Sequence, residues 1–482
     1  MRKSFLPTAL AAIAGLLAVM LLTPAGGVAW NTASQAVGVS KAGKPLRGPR
    51  GPRGFRGRRG LRGLPGAKGA TGAAGPAGAA GAHGAAGARG ATGARGPNGG
   101  LSVYCAAAQA SPAVYRSAPC RARSQVVWGT GGVVGKSSSI AIGTDGFPVA
   151  TFYDEGNHNL GFAHCVDPAC SNPAGITTLD LGNDVGNTNS LAIGSDGNPV
   201  VSYYDATAQD LKVAHCVDPN CVSPVELNTP ATTGNVGFGT SLAIGTDGNP
   251  VIAFMDFTQP FPLELKVMHC NDRACAGSNE VTNTVFNFGQ NETPHVDASL
   301  AIGADGNPVI AFAKANELWV AHCSDVSCAA TPQTRMLDPV GGLFPSLAIG
   351  RDGNPVLSFY NTSGSATWVA DCNDPACAGS GDVKNLLDAD SAYGRLAVGL
   401  DGNPVISVHR QNRLDLVRCN DVSCAGGNEQ FSTMDGSAQV WPAANSIAIG
   451  VDGSPVVSYS DCPGFGPECN LKIARAAFVP GS

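Results

Sequence analysis

The residues with the most chemistry to offer are sixteen cysteines, all after residue 104. Twelve fall in six pairs of spacing C-x4-C: Cys165 with Cys170, Cys216 with Cys221, Cys270 with Cys275, Cys323 with Cys328, Cys372 with Cys377 and Cys419 with Cys424. Two chemistries suit such pairs. A tight turn brings the sulfurs within disulfide reach, and thiolates beside an imidazole bind zinc. Four pairs are preceded by a histidine: His164, His215, His269 and His322. The matching residue in the later repeats is Asp371, Arg418 or Arg475, and arginine is no metal ligand. Disulfides are the expectation, with Cys105 to Cys120 and Cys462 to Cys469 as the remaining pairs and no metal or cofactor. Each short closed loop should contribute about 2 kcal/mol on the chain-entropy model.

Other constellations carry less. Residues 130–137, TGGVVGKS, nearly match a phosphate-binding loop, but Thr130 replaces the first glycine and no βαβ pattern surrounds them. No HExxH or GxSxG signature occurs.

The cysteine pairs belong to a larger period. A sixteen-residue phrase, SLAIGSDGNPVVSYYD at residues 190–205, recurs in seven copies. Its aspartates are Asp145, Asp196, Asp247, Asp305, Asp352, Asp401 and Asp452, spaced by 47 to 58 residues. A period near fifty is read before any single residue. The DGNP segment is dense in turn formers. The apolar run before it and the β-branched, aromatic run after it read as strands, so the phrase is a hairpin. A third strand ends at each cysteine pair (residues 211–216 in the second copy), and a fourth follows, as at residues 176–181. Four short strands per unit is the pattern of a propeller blade. Each turn offers one carboxylate where calcium wants six to eight oxygens, so these aspartates read as turn-stabilising.

The seventh copy has Ala476 in place of the first cysteine and no fourth strand after it. Residues 124–128, SQVVW, precede the first hairpin and supply the missing strand, which would close the ring and remove two exposed sheet edges.

Residues 1–29 have a charged start, a 14-residue apolar run and a small-residue end, which reads as a cleaved secretory signal, with a retained anchor as the alternative. Every third residue from Gly48 to Gly99 is glycine. Only glycine fits the axis of three wound polyproline-II chains, so this stretch reads as a stalk about 150 Å long that joins three copies. Residues 41–95 carry twelve basic residues and no acid, whereas residues 101–482 hold 17 basic against 36 acidic. The basic stalk lacks the aromatic interleaving of a nucleic-acid binder, so no nucleic-acid partner is expected.

The stalk resembles those of bacterial collagen-like surface proteins, and the repeats resemble seven-bladed β-propellers of secreted bacterial proteins. The fold implied is all-β, a seven-bladed β-propeller preceded by a collagen-like triple-helical stalk. The expected segments are 1–29 signal, 30–47 linker, 48–100 stalk, 101–123 disulfide neck and 124–482 propeller. The DGNP turns depart from sialidase Asp-boxes, because no Thr-Trp follows and they join the first two strands of each blade.

Function is expected on the rim opposite the DGNP turns, where the copies differ. At the end of the second strand stand Tyr153 and Asp154, Tyr204 and Asp205, then Asp256. The later copies carry Lys314, Tyr360, His409 and Arg410. Two longer loops add Phe257, Phe261 and Phe465. Loops on a rigid ring are a usual seat of recognition. The expected protein is secreted or on the cell surface, homotrimeric through its stalk, without a membrane span once the signal is removed. It binds an extracellular glycan or surface polymer and is not an enzyme. A structural matrix or sheath component, and a propeller hydrolase or lyase acting on polysaccharide, are the alternatives.

Overall fold

The computed structural model describes residues 123–476, apart from 129–133, 172, 223, 260–262, 278, 290–293, 411–412, 428, 437–439 and 463–468. The expected bridge between Cys105 and Cys120 lies outside the described residues, as do Phe261, Phe465 and the segments before residue 123.

The described chain forms seven four-stranded antiparallel sheets. Blade one is Val134–Ile142, Pro148–Asp154, Asn159–Cys165 and Pro173–Asp180. Blades two to six repeat the order strand by strand. Blade seven takes three strands from the chain's end, Val440–Ile449, Pro455–Asp461 and Asn470–Arg475, and its outer strand is Arg123–Trp128. Ser124 lies opposite Ala474 and Gln125 opposite Ile473. The ring is therefore closed by the N-terminal strand, as the unpaired seventh repeat implies.

The turn of the repeated phrase explains its two glycines. In the second copy Gly197 has φ 83°, a left-handed conformation that favours glycine. The Asn198 N–H donates to Asp196 Oδ1 at 3.1 Å, and the Gly194 N–H donates to the Asn198 carbonyl at 2.7 Å. A Cβ on Gly194 would stand 2.9 Å from Asp196 Oδ1, so the aspartate that braces the turn also excludes a side chain there.

The second strands are buried throughout in blades one, two, three and seven. Each is covered on both faces by neighbouring blades, so it reads as a continuous apolar run instead of an alternating one. The core is thus a ring of inter-blade clusters. One of these packs Phe152 and Ala163 of blade one against Leu471 and Ile473 of blade seven.

The first strands are longer than their apolar residues suggest. Val185–Ile193 spans nine residues, whereas the apolar run covers 191–193. After the buried Val185 the earlier half is Gly, Asn, Thr and Ser, and Thr188, Asn189 and Ser190 line the central cavity. The phrase's leading serine belongs to this half and ties the blades together. Ser139 Oγ accepts the Leu191 N–H at 3.1 Å, Ser190 the Leu242 N–H at 3.0 Å, and Ser241 the Leu300 N–H at 3.0 Å. Ser299 and Ser346 continue the ring to Leu347 and Leu396, and Ser446 closes it onto Ile140 at 3.3 Å.

Buried ion pairs also cross between blades. The Tyr203 hydroxyl donates to Asp180 Oδ2 at 2.8 Å, and Lys212 of blade two pairs with the same carboxylate. Burial opposes ionisation of Asp180, but hydrogen bonds from Lys212, Gly182 and Tyr203 outweigh it and hold the carboxyl below its usual range. Blade seven repeats the device, with Tyr459 and Lys472 reaching Asp435 at 2.7 and 3.1 Å.

Candidate functional site

The four histidines beside the cysteines do not converge on a metal. Each turns to the phrase aspartate of its own blade: His164 to Asp145, His215 to Asp196, His269 to Asp247 and His322 to Asp305, every Nε2–Oδ2 distance being 2.9 Å. In blade seven Arg475 takes the histidine's place on Asp452. All fourteen described cysteines are joined in seven disulfides. Six run across the C-x4-C spacing: Cys165 to Cys170, Cys216 to Cys221, Cys270 to Cys275, Cys323 to Cys328, Cys372 to Cys377 and Cys419 to Cys424. The seventh joins Cys462 to Cys469. In the six C-x4-C loops an aspartate two residues after the first cysteine braces the loop, as Asp167 accepts the Ala169 N–H at 2.8 Å. The second cysteine is then left-handed in all six loops, φ 50° to 53°.

On the opposite rim, the residues ending the second strands divide into two groups. The acids brace their own hairpins. Asp154 accepts from the Asn157 N–H at 3.1 Å and Nδ2 at 2.9 Å. Asp205 accepts from Thr207 and Ala208, and Asp256 from Thr258 and Lys266. Two tyrosines are tied across to the next blade, Tyr153 to Asp184 at 2.6 Å and Tyr204 to Asn235 at 2.8 Å. Burial, then the Asp184 carboxylate, pushes the Tyr153 hydroxyl well above its usual range.

The second group is aromatic. Tyr360 of blade five stacks on Tyr393 of blade six, with centroids 5.8 Å apart and planes 20° apart. His409 lies on Tyr393 at 6.5 Å and 28°. Phe344 meets Tyr393 edge-on at 4.8 Å. All four rings are half-buried. The His409 Nε2 has no hydrogen-bond partner among the described residues, and burial lowers the imidazole's affinity for a second proton.

Tyr360 and His409 were identifiable from the ends of the variable second strands. Phe344 and Tyr393 were not, because they sit inside the first strands, two residues before the ring position held by Ser346 and Arg395. The backbone there is left-handed, φ 54° at Phe344 and 56° at Tyr393. Blade three meets the same conformation with Gly239, φ 64°. Large aromatics rarely adopt it, and strained residues concentrate where a side chain must be presented.

The remaining candidates form smaller groups. Phe257 lies 6.0 Å from Phe238, which lies 5.3 Å from Tyr204. Lys314 stands over Trp319 at 5.3 Å. Arg410 pairs with Asp388 at 2.7 Å and lies over Phe431 at 5.1 Å.

The collagen triple helix repeat model, of 20 copies, matches residues 42–101. No curated protein matches the chain. Among solved structures it is similar in fold to an oligogalacturonate lyase in complex with manganese, with 10% identity over 75% of this chain and 98% of that one and a TM-score of 0.46. An α-L-arabinofuranosidase from Fusarium graminearum matches at 10% identity over 60% and 92%, TM-score 0.43. A sialidase from Streptococcus pneumoniae matches at 9% identity over 73% and 70%, TM-score 0.40. At such identities nothing passes from them to this chain's chemistry.

The chain therefore joins a collagen repeat to a seven-bladed β-propeller.

Proposed function

We propose that this is an extracellular, three-chain binder of glycans whose sugar platform is the aromatic cluster of blades five and six. One observation carries the reading. Six tyrosines are described, and Tyr153, Tyr203, Tyr204 and Tyr459 each donate their hydroxyl to a side-chain oxygen. Tyr360 and Tyr393 have no hydrogen-bond partner among the described residues. Tyrosine hydroxyls buried in a fold usually find a partner. Two stacked rings whose polar ends are uncommitted, beside an uncommitted imidazole nitrogen, match what a sugar needs: an apolar face to lie on and donors or acceptors at its edge.

The collagen repeat supports winding of three chains, and the disulfides support an oxidising, extracellular setting. Three heads on one stalk add avidity of roughly 10²–10⁴ when all reach one surface, which suits weak single-site affinity for a repeating polymer. Residues 1–29 as a cleaved signal and 101–123 as a disulfide neck remain part of this proposal. A glycan-array screen tests the reading: wild-type protein should retain a defined set of glycans, and Tyr393→Gly should lose them while remaining folded.

A further inference from the structure

Five described histidines stand within 3.3 Å of a carboxylate: His158, His164, His215, His269 and His322. His409 has no such partner among the described residues. Its ring lies on Tyr393 at 6.5 Å and 28°, and its Nε2 is buried without a hydrogen-bond partner among the described residues. An imidazolium carries an N–H on both ring nitrogens. In this seat the Nε2 proton would meet no acceptor. A buried donor left without one is costly, the more so when it is charged.

The charged groups around His409 offer a second proton no counter-charge. The residue stands near the end of the second strand of blade six, Pro404–Arg410, between the first strand, Ser391–Val398, and the third, Arg413–Arg418. It is paired with Ala392 on one side and Leu414 on the other. The other ionisable residues of these strands are Tyr393, Arg395, Arg410, Arg413, Asp415 and Arg418. The one acid among them, Asp415, already takes Arg413 at 2.8 Å and Arg410 at 3.5 Å. From blade five, Asp388 takes Arg410 at 2.7 Å, and Tyr360 reaches Tyr393. Blade seven packs its first strand, Val440–Ile449, against the same strand, with no ionisable side chain in it. Neighbouring cations oppose a further cation. Burial acts in the same direction on the imidazole.

We propose that His409 gates the aromatic platform by pH: uncharged, it holds Tyr393 in the stack, and in acid it takes a proton, turns out to water and unseats Tyr393, so that a glycan held near neutral pH is released. The gate rests on the glycan reading above and adds its regulation. Its sign follows from linkage. A folded site that resists the second proton keeps its full contribution above the ordinary histidine value of about 6.5 and loses it as the pH falls below. Tyr393 transmits that loss. Its backbone is left-handed, φ 56°, and its ring is held by Tyr360, Phe344 and His409, with no hydrogen bond to its hydroxyl among the described residues. His409 is thus a positioning residue, acting on the glycan through Tyr393.

The test is binding of neutral gluco-, galacto- and manno-oligosaccharides by the full-length protein at pH 7.5 and pH 5.0, with the near-ultraviolet circular dichroism of the unliganded protein recorded at both. Neutral sugars leave the protein as the one titrating partner. His409→Tyr removes the titrating ring and installs the residue that blades one, two and five carry at this place, Tyr153, Tyr204 and Tyr360. Wild type should lose about tenfold in affinity between the two pH values, the effect of roughly one unit of pKa shift. Its tyrosine band should change with pH in a way that His409→Tyr lacks, and the variant's two affinities should be equal. The same pH dependence of binding and of the tyrosine band in both proteins overturns the gate. Refusal of all these sugars by wild type at pH 7.5, with the band still changing in wild type alone, supports the gate and overturns the glycan reading instead.

Discussion

Asp371 and Asp352 repel each other on the cysteine-bearing rim of blade five. Four other blades place a histidine at the position of Asp371, 2.9 Å from the phrase aspartate. Blade five instead sets two carboxyls together, and Asp371 Oδ1 is buried without a hydrogen-bond partner among the described residues. Its pKa is pushed up to about 6, first by burial, then by Asp352, Asp421 and Asp382.

The consequence is a stability that falls as the pH rises. A group with a raised folded-state pKa binds its proton more tightly in the native state than in the unfolded chain. Its contribution is complete below about pH 4, the ordinary carboxylate range, and is lost as the pH rises through 6. Asp371→His should therefore stabilise the head at pH 7 by about 1 kcal/mol after allowance for solvent screening, with a smaller gain at pH 4.5. Denaturant titrations at the two pH values measure it. Equal stability of the two proteins at pH 7 would remove the explanation.

Ring closure gives a second expectation. Deleting residues 121–130 removes Arg123–Trp128 and leaves Asn470–Arg475 as an exposed edge. Exposed edges pair with other chains. Size-exclusion chromatography should show aggregation, with a lower melting temperature. A monodisperse head with unchanged melting would show that the strand is dispensable.

The disulfides are independent staples, one per loop. Replacing Cys372 and Cys377 together by serine should cost about 2 kcal/mol and leave the other six described bridges intact. Thiol titration of denatured wild-type protein should find almost no free cysteine. Abundant thiols with stoichiometric zinc would contradict the assignment.

Much of this architecture was legible because each repeat repeats its own logic. The Asp-Gly turn, the buried second strand and the left-over seventh unit are local patterns, and Ser124–Trp128 could be matched to the gap by counting strands. The candidate site was legible only in part. Tyr360 and His409 end a strand whose copies visibly differ. Tyr393 and Phe344 acquire meaning only from a left-handed backbone that no propensity reveals. What the four histidines beside the cysteines do was not legible, because their partners, the phrase aspartates, lie 17 to 22 residues away in sequence.

The stalk makes its own prediction, from phase alone. Gly75→Val places a side chain at the crowded axis of a triple helix, so trimer content by light scattering and retention on a glycan-coated surface should fall together. A full-length protein that is monomeric as wild type would remove the multivalent reading.

The most direct test of the account is glycan binding by the wild-type protein and its Tyr393→Gly variant, measured side by side with their melting curves. Glycine is already the residue at this left-handed position in blade three, where Gly239 has φ 64°, so the variant keeps the backbone and removes only the ring. The account predicts a melting temperature within a few degrees of wild type and binding weakened at least tenfold, about 1.4 kcal/mol. A folded variant that holds the same glycans with unchanged affinity would contradict it.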